Sequence, residues 1–335
     1  MPDPSVMAEV TRLTRAGRLI EAMALLRGGG ADAREHPKGA WPSGGKGFKR
    51  PRARAGSNRH APRVPDGADW TRGTHGCAEG ARDYALYVPS SLAPEPALLV
   101  MLHGCTQDAG DFAVGTRMNA LAERHGFLAL YPEQSRSDNP NGCWNWFEPG
   151  HRHGGEAVIL RGMAEAVARK HGARRRCVAG LSAGGAMAAN LCALGDWGGV
   201  MVHSGLPAGA ASGLPDALRA MRSGGAGADT ALGAPALIVH GDADRTVSPA
   251  NADALAAQAT ANAEAAVQTR EAGVAGGRRY VRVTERTPGG AVLCETITVA
   301  GGGHGWFGGD PAGSHTERGI DASAEAVRFF GLARG

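Results

Sequence analysis

The chain has 335 residues, 43% of them apolar and 20% charged, with 36 Lys and Arg against 32 Asp and Glu. That length allows one large α/β domain plus an extension, with ample material for a buried core, and no run approaches the roughly 18 apolar residues that a membrane-spanning helix needs. The formal charge of +4 is unevenly placed: residues 34–63 hold nine Lys or Arg and one acid, a local +8, which leaves 27 Lys or Arg against 31 acids, or −4, for the rest.

Within residues 1–28, Val10, Leu13, Leu19, Ile20, Met23 and Leu26 recur at near-helical spacing with charges between them, so the spacing predicts an amphipathic helix separate from the main domain. Arg12, Arg15, Arg18 and Glu21 interrupt that stretch, which therefore does not read as a signal peptide. Residues 29–66 are basic, rich in Gly and Pro and poor in apolar side chains, and are expected to form a disordered linker. A solvated tether is ranked above a nucleic-acid-binding or anionic-surface-binding arm.

From 67 to 335 the pattern changes. Strands are predicted at 84–88, 98–102 and 127–131, a helix at 156–170, a strand ending at Cys177-Val178-Ala179, a helix over 186–193 and a strand at 200–203. Residues 206–234, rich in Gly, Ala and Ser, read as a mobile excursion or a loose surface loop. Next come a strand at 235–239, an alanine-rich helix at 249–267, and strands at 280–287 and 292–299 flanking Pro288-Gly289-Gly290 as a hairpin near one sheet edge. A helix at 322–332 closes the domain. Strands alternating with helices at this spacing argue for a mostly parallel sheet covered by helices on both faces.

The chemistry-bearing residues fall where those strands end. Gly180-Leu181-Ser182-Ala183-Gly184 fits G-x-S-x-G between an apolar run and a helix start, as a nucleophile elbow requires: the serine sits on a sharp turn whose neighbours have no room for side chains. The helix N-terminus directs N–H groups and a positive dipole end at the same place. The matching arrangement on an α/β-hydrolase fold places the acid and then the histidine after the serine. The strand at 235–239 runs into a loop carrying Asp242 and Asp244; Asp244, further out, is the expected histidine partner and Asp242 the brace of the turn. The strand at 292–299 runs into Gly301-Gly302-Gly303-His304, which makes His304 the candidate general base. His103, His203 and His240 sit at strand ends and read as structural, and His151 and His153 as solvated. For an oxyanion hole, the Ala183 amide is one donor and the Cys105 amide, in the loop after the strand at 98–102, the other.

Together these stretches resemble the poly(3-hydroxybutyrate) depolymerase family of esterases, relatives of feruloyl and acetylxylan esterases, over about residues 82–331. The resemblance is carried by the Leu98–Gln134 stretch, NPNGCWNWF, VAGLSAGGAMA, HGDADRTV and GGGHGWFGG. It implies an α/β-hydrolase fold, a Ser182, Asp244, His304 triad, oxyanion amides at Cys105 and Ala183, and Trp144 and Trp306 lining a substrate cleft. It also implies an ester substrate, poly- or oligo(3-hydroxybutyrate) first and feruloyl or acetyl esters second; the reading from another class is a non-catalytic granule-binding protein on a hydrolase fold. A granule surface is then a candidate partner for the N-terminal helix and basic linker. No C-x-x-C pair or His/Cys cluster occurs among the six cysteines, so no metal or cofactor is expected. Cys105 and Cys143 both belong to site loops: thiols in a reducing cytosol, a disulfide in a secreted protein. The expected location is cytoplasmic, with extracellular, as for many relatives, the alternative.

Overall fold

A computed structural model of the chain describes residues 61–148, 154–225 and 230–334. Pro62–Gly335 forms one compact unit. The helix expected within 1–28, most of the linker 29–66, and His151 and His153 lie outside the described residues.

Ten strands make one sheet: β1 (Asp69–Cys77), β2 (Gly80–Val88), β3 (Ala97–Leu102), β4 (Leu128–Glu133), β5 (Arg175–Leu181), β6 (Val200–His203), β7 (Ala236–Gly241), β8 (Val267–Ala275), β9 (Arg278–Arg286) and β10 (Val292–Val299). Their order is β1-β2-β4-β3-β5-β6-β7-β10-β9-β8. The middle, from β4 to β10, is parallel throughout, and both flanks are antiparallel. Helices α1 (Ala109–Thr116), α2 (Met118–His125) and α7 (Ala322–Phe329) contribute to the core on one face, packing with Leu99, Met101, Ala129, Cys177, Met201, Leu237 and Ile297. The alternate residues Leu98, Val100, Val178, Val200, Val202 and Ile238 are just as buried, on the face covered by α3 (Gly155–His171), α4 (Ala183–Ala193) and α6 (Ala250–Thr260). Burial on both faces is why these strands read as unbroken apolar runs rather than as alternating patterns.

Two expectations are corrected. The alanine-rich helix ends at Thr260, not 267, and Val267 opens the edge strand β8, whose largely exposed residues take their conformation from pairing with β9. The connection between them is Gly276-Gly277, both at positive φ (55° and 78°), a two-residue turn that only tolerant residues close. The hairpin of β9 and β10 lies near one sheet edge as expected, with β8 as the one strand outside it. Finally, the described residues of the 206–234 stretch, 206–225 and 230–234, are held rather than loose: they include α5 (Leu214–Ser223), and the buried Gln258 bonds Ala208 at both N–H (2.9 Å) and C=O (2.8 Å). Buried Asn190 and Asn251 accept from the Gly209 and Gly225 N–H groups at 3.1 and 2.9 Å.

Candidate active site

Parallel strands bring their C-terminal ends to one edge of the sheet, and β3, β5, β7 and β10 each deliver a loop there. Ser182 follows β5 directly, at φ 57° and ψ −119°, and opens α4. A Cβ on Gly180 would sit 2.2 Å from Gly184 O, and one on Gly184 would sit 2.2 Å from Leu102 O and 2.5 Å from His103 O. All of these obstacles are backbone atoms, so the glycines of the motif are sterically obligatory. The turn is further tied by Ser182 N–H donating to His203 O at 2.9 Å.

The β7 loop brings Asp244, and not Asp242, to the histidine. His304 Nδ1 donates to Asp244 Oδ2 at 2.7 Å, and Asp244 Oδ1 accepts from the Thr246 and Val247 amides at 2.7 and 2.9 Å. Asp242 instead accepts from Gly301 N at 2.7 Å and braces the glycine-rich loop that carries His304. Burial alone would raise the Asp244 carboxyl, but hydrogen bonds from His240 and His304, the charge of His304 and the Val247 amide together hold it well below the usual carboxylate range. Donation from Nδ1 leaves the His304 Nε2 lone pair to receive a proton.

The loop after β3 is fastened from several sides. Cys105 is disulfide-bonded to Cys143. Gly104 N–H donates to Gln107 Oε1 at 2.9 Å and Thr106 N–H to Asn141 O at 2.8 Å. His103 Nδ1 donates to Gly104 O at 2.8 Å while its Nε2 accepts from Gln134 N at 3.2 Å, an arrangement open only to the neutral ring. Burial, outweighing the Gly104 carbonyl, lowers the pKa of His103 in keeping with that. Among the described residues no hydrogen bond engages the Cys105 or Ala183 amide, so both are available to a developing oxyanion.

Trp144 and Trp306 do not line an open cleft. Both rings are fully buried, at 0% and 1% exposure. Trp144 Nε1 donates to His103 O at 3.1 Å with its ring tilted over His103, and Trp306 Nε1 donates to Ser323 Oγ at 3.0 Å with its ring stacked on His203. They support the β3 loop and the His304 loop from beneath. An aromatic beside a site loop has the same sequence signature whether it faces the cleft or the core, and here the indole N–H finds an internal partner in both cases. His203 and His240 are structural: His203 Nε2 accepts from Phe307 N at 3.1 Å, and His240 Nε2 lies 3.0 Å from Val247 O.

Sequence reasoning did not single out Glu156. It is 1% exposed, and its carboxylate accepts from Arg82 Nη2 (3.0 Å), Asn145 N (2.8 Å), Asn145 Nδ2 (2.9 Å) and Gln134 Nε2. Gln134 Nε2 also reaches Cys143 O at 2.9 Å. This buried cluster anchors the segment bearing Cys143 and, through the disulfide, the segment bearing Cys105. Its one visible signal is a carboxylate at the start of a helix, too common to read as more than a favourable first-turn charge.

With this geometry, residues 82–281 match the family described as Esterase PHB depolymerase. The chain belongs to this family. Among curated relatives of this Esterase PHB depolymerase member, poly(3-hydroxyalkanoate) depolymerase C of Paucimonas lemoignei is 33% identical over 239 residues, 65% of this chain and 57% of that protein. Feruloyl esterase B of Neurospora crassa is 36% identical over 106 residues, 30% of this chain and 35% of that one. The chain thus spans about half or less of the length of the curated relatives it matches. The solved acetyl xylan esterase of Aspergillus awamori superposes with a TM-score of 0.56 at 21% identity, covering 75% of this chain and 94% of that one. That likeness establishes the α/β-hydrolase fold.

Proposed function

We propose that the protein is a serine carboxylesterase working through an acyl-enzyme. The observation that carries this reading is the 2.7 Å His304 Nδ1 to Asp244 Oδ2 hydrogen bond at the same sheet edge as Ser182 on its strained elbow. Ser182 Oγ attacks the ester carbonyl as His304 Nε2 takes its proton, and the Cys105 and Ala183 amides hold the oxyanion. His304 returns the proton to the departing alcohol oxygen, the C–O bond breaks, and an acyl-Ser182 remains. Water then attacks the acyl group by the reverse proton route, releasing the acid and restoring the serine hydroxyl. Asp244 keeps the proton on His304 Nδ1 and stabilises the imidazolium.

For substrate, the polyester reading comes first: poly- or oligo(3-hydroxybutyrate), supported by the family and by 33% identity to a poly(3-hydroxyalkanoate) depolymerase over 239 residues. Feruloyl or acetylxylan-type esters are the second reading, supported by the 36% identity to a feruloyl esterase. The Cys105–Cys143 disulfide supports the extracellular alternative over the cytoplasmic expectation, because disulfides persist in oxidising compartments. The deciding assay compares p-nitrophenyl butyrate, 3-hydroxybutyrate oligomers and methyl ferulate with wild-type protein and Ser182→Ala. Oligomer cleavage that vanishes in the variant supports the first reading, preference for ferulate supports the second, and turnover retained by Ser182→Ala overturns the mechanism.

A further inference from the structure

Several non-glycine residues at or beside the site have left-handed backbones, Thr106, Ser182, Ser204 and His315 among them. His315 lies at φ 55°, in the left-handed region, which histidine visits more often than most non-glycine residues, and its surroundings hold it there. Those surroundings are specific. Two short strands, β11 (Trp306–Phe307) and β12 (Thr316–Glu317), pair in parallel with Trp306 opposite Thr316, so the residue after His304 runs alongside His315. Trp306 N–H donates to His315 O at 2.7 Å, and a Cβ on Gly305 would come within 3.0 Å of that same oxygen. On the other side, Ser314 donates from its N–H to Asp111 Oδ1 (2.8 Å) and from its hydroxyl to Asp111 Oδ2 (2.5 Å). Asp111 also accepts from Gln107 Nε2 at 2.7 Å, and Gln107 holds the Gly104 amide of the β3 loop.

Proton bookkeeping in this relay determines the state of the imidazole. Asp111 only accepts, so the single hydroxyl proton of Ser314 is spent on it. Ser314 Oγ must then accept from His315 Nδ1, 2.9 Å away. The ring therefore carries its proton on Nδ1 and offers Nε2 as a lone pair, on an exposed residue next to the His304 loop. Desolvation and the neighbouring His304, against the pull of Asp111, lower the pKa of His315 and favour that neutral form. A histidine that merely decorated the surface would need no fixed tautomer.

We propose that His315 is a substrate-binding residue whose Nε2 accepts a hydrogen bond from a hydroxyl group of the ester substrate. This deepens the esterase reading and rests on it. The shared chemistry is a hydroxyl donor; it comes either from the acyl side, as in a 3-hydroxyacyl group, or from the alcohol side, as in a polyol. A neutral acceptor does not attract a free carboxylate, so the product acid gains nothing at this position.

The test uses His315→Asn, because asparagine tolerates the left-handed backbone and the variant removes the imidazole without adding strain. Two ester pairs differ by one hydroxyl: p-nitrophenyl 3-hydroxybutyrate against p-nitrophenyl butyrate, and 2-hydroxyethyl butyrate against ethyl butyrate. The expected result is that kcat/KM for the hydroxylated member of one pair falls about fivefold, the loss of one neutral hydrogen bond, while its unhydroxylated partner stays within about twofold. Whichever pair responds identifies the side of the ester that is read. An equal fall for all four esters, or no change in any, overturns the proposal. Turnover of these esters by Ser182→Ala overturns the esterase reading instead, so the two failures are distinguishable.

Discussion

Replacing Glu156 by Gln keeps the shape of the side chain and removes the charge that holds two loops. In the native protein the carboxylate meets Arg82 at 3.0 Å, with side-chain exposures of 8% for the arginine and 1% for the glutamate. Breaking a buried pair from one side costs about 3–5 kcal/mol. Asp138, 2.6 Å from Arg82 Nη1, keeps the arginine partly compensated, which places the pair's loss near the lower end. The new amide N–H₂ then faces the donors Gln134 Nε2, Asn145 N and Asn145 Nδ2, and each strained or lost bond to a formerly charged acceptor costs about 1.5–3 kcal/mol. We expect about 4 kcal/mol of destabilisation, within the roughly 5–15 kcal/mol that folded domains hold in reserve, so the variant folds. Releasing Asn145 and Gln134 also loosens the Cys143 segment behind the oxyanion amide, with an expected kcat loss of about tenfold, short of the 10²–10³ for deleting a donor outright. Urea unfolding and p-nitrophenyl ester kinetics measure both. A stability loss under about 1 kcal/mol would refute the buried-pair argument; normal kcat in a destabilised variant would refute the link to the oxyanion loop.

Asp244→Asn keeps the acceptors for the Thr246 and Val247 amides but no longer fixes the His304 proton on Nδ1; kcat should fall by about 10⁴ with the fold intact, and a loss under tenfold would mean that another group orients the histidine. Gly184→Ala puts a methyl 2.2 Å from Leu102 O, which only backbone displacement relieves; expression as soluble, active protein would show that the elbow is softer than its geometry. His103 and His203 have pKa values lowered from 6.5 by burial. The unfolded chain therefore binds their protons first: their stabilising contribution is complete above pH about 6.5 and is lost as pH falls below it, by up to roughly 1 kcal/mol per pH unit for each. Urea midpoints at pH 7.5 and 5.5 should differ accordingly, and equal midpoints would contradict neutral burial of both rings.

What the sequence determined by itself is what depends on local stereochemistry. Gly180 is readable because a Cβ there collides with the Gly184 backbone four residues on, within the strand-to-helix turn itself. Asp244 and His304 were readable because each ends an apolar run, and a parallel sheet brings such ends to one edge. The tertiary structure alone decided the remainder. Trp144 and Trp306 turned inward because the His103 carbonyl and the Ser323 hydroxyl were waiting for their indole N–H groups. β8 became a strand because β9 was there to pair with it. Glu156 acquired its place from Arg82, 74 positions away in the chain, and His315 its tautomer from Asp111 through Ser314. Each of these outcomes depends on which distant donor or acceptor arrives at a buried or rim position, and residue type and spacing carry no record of that arrival.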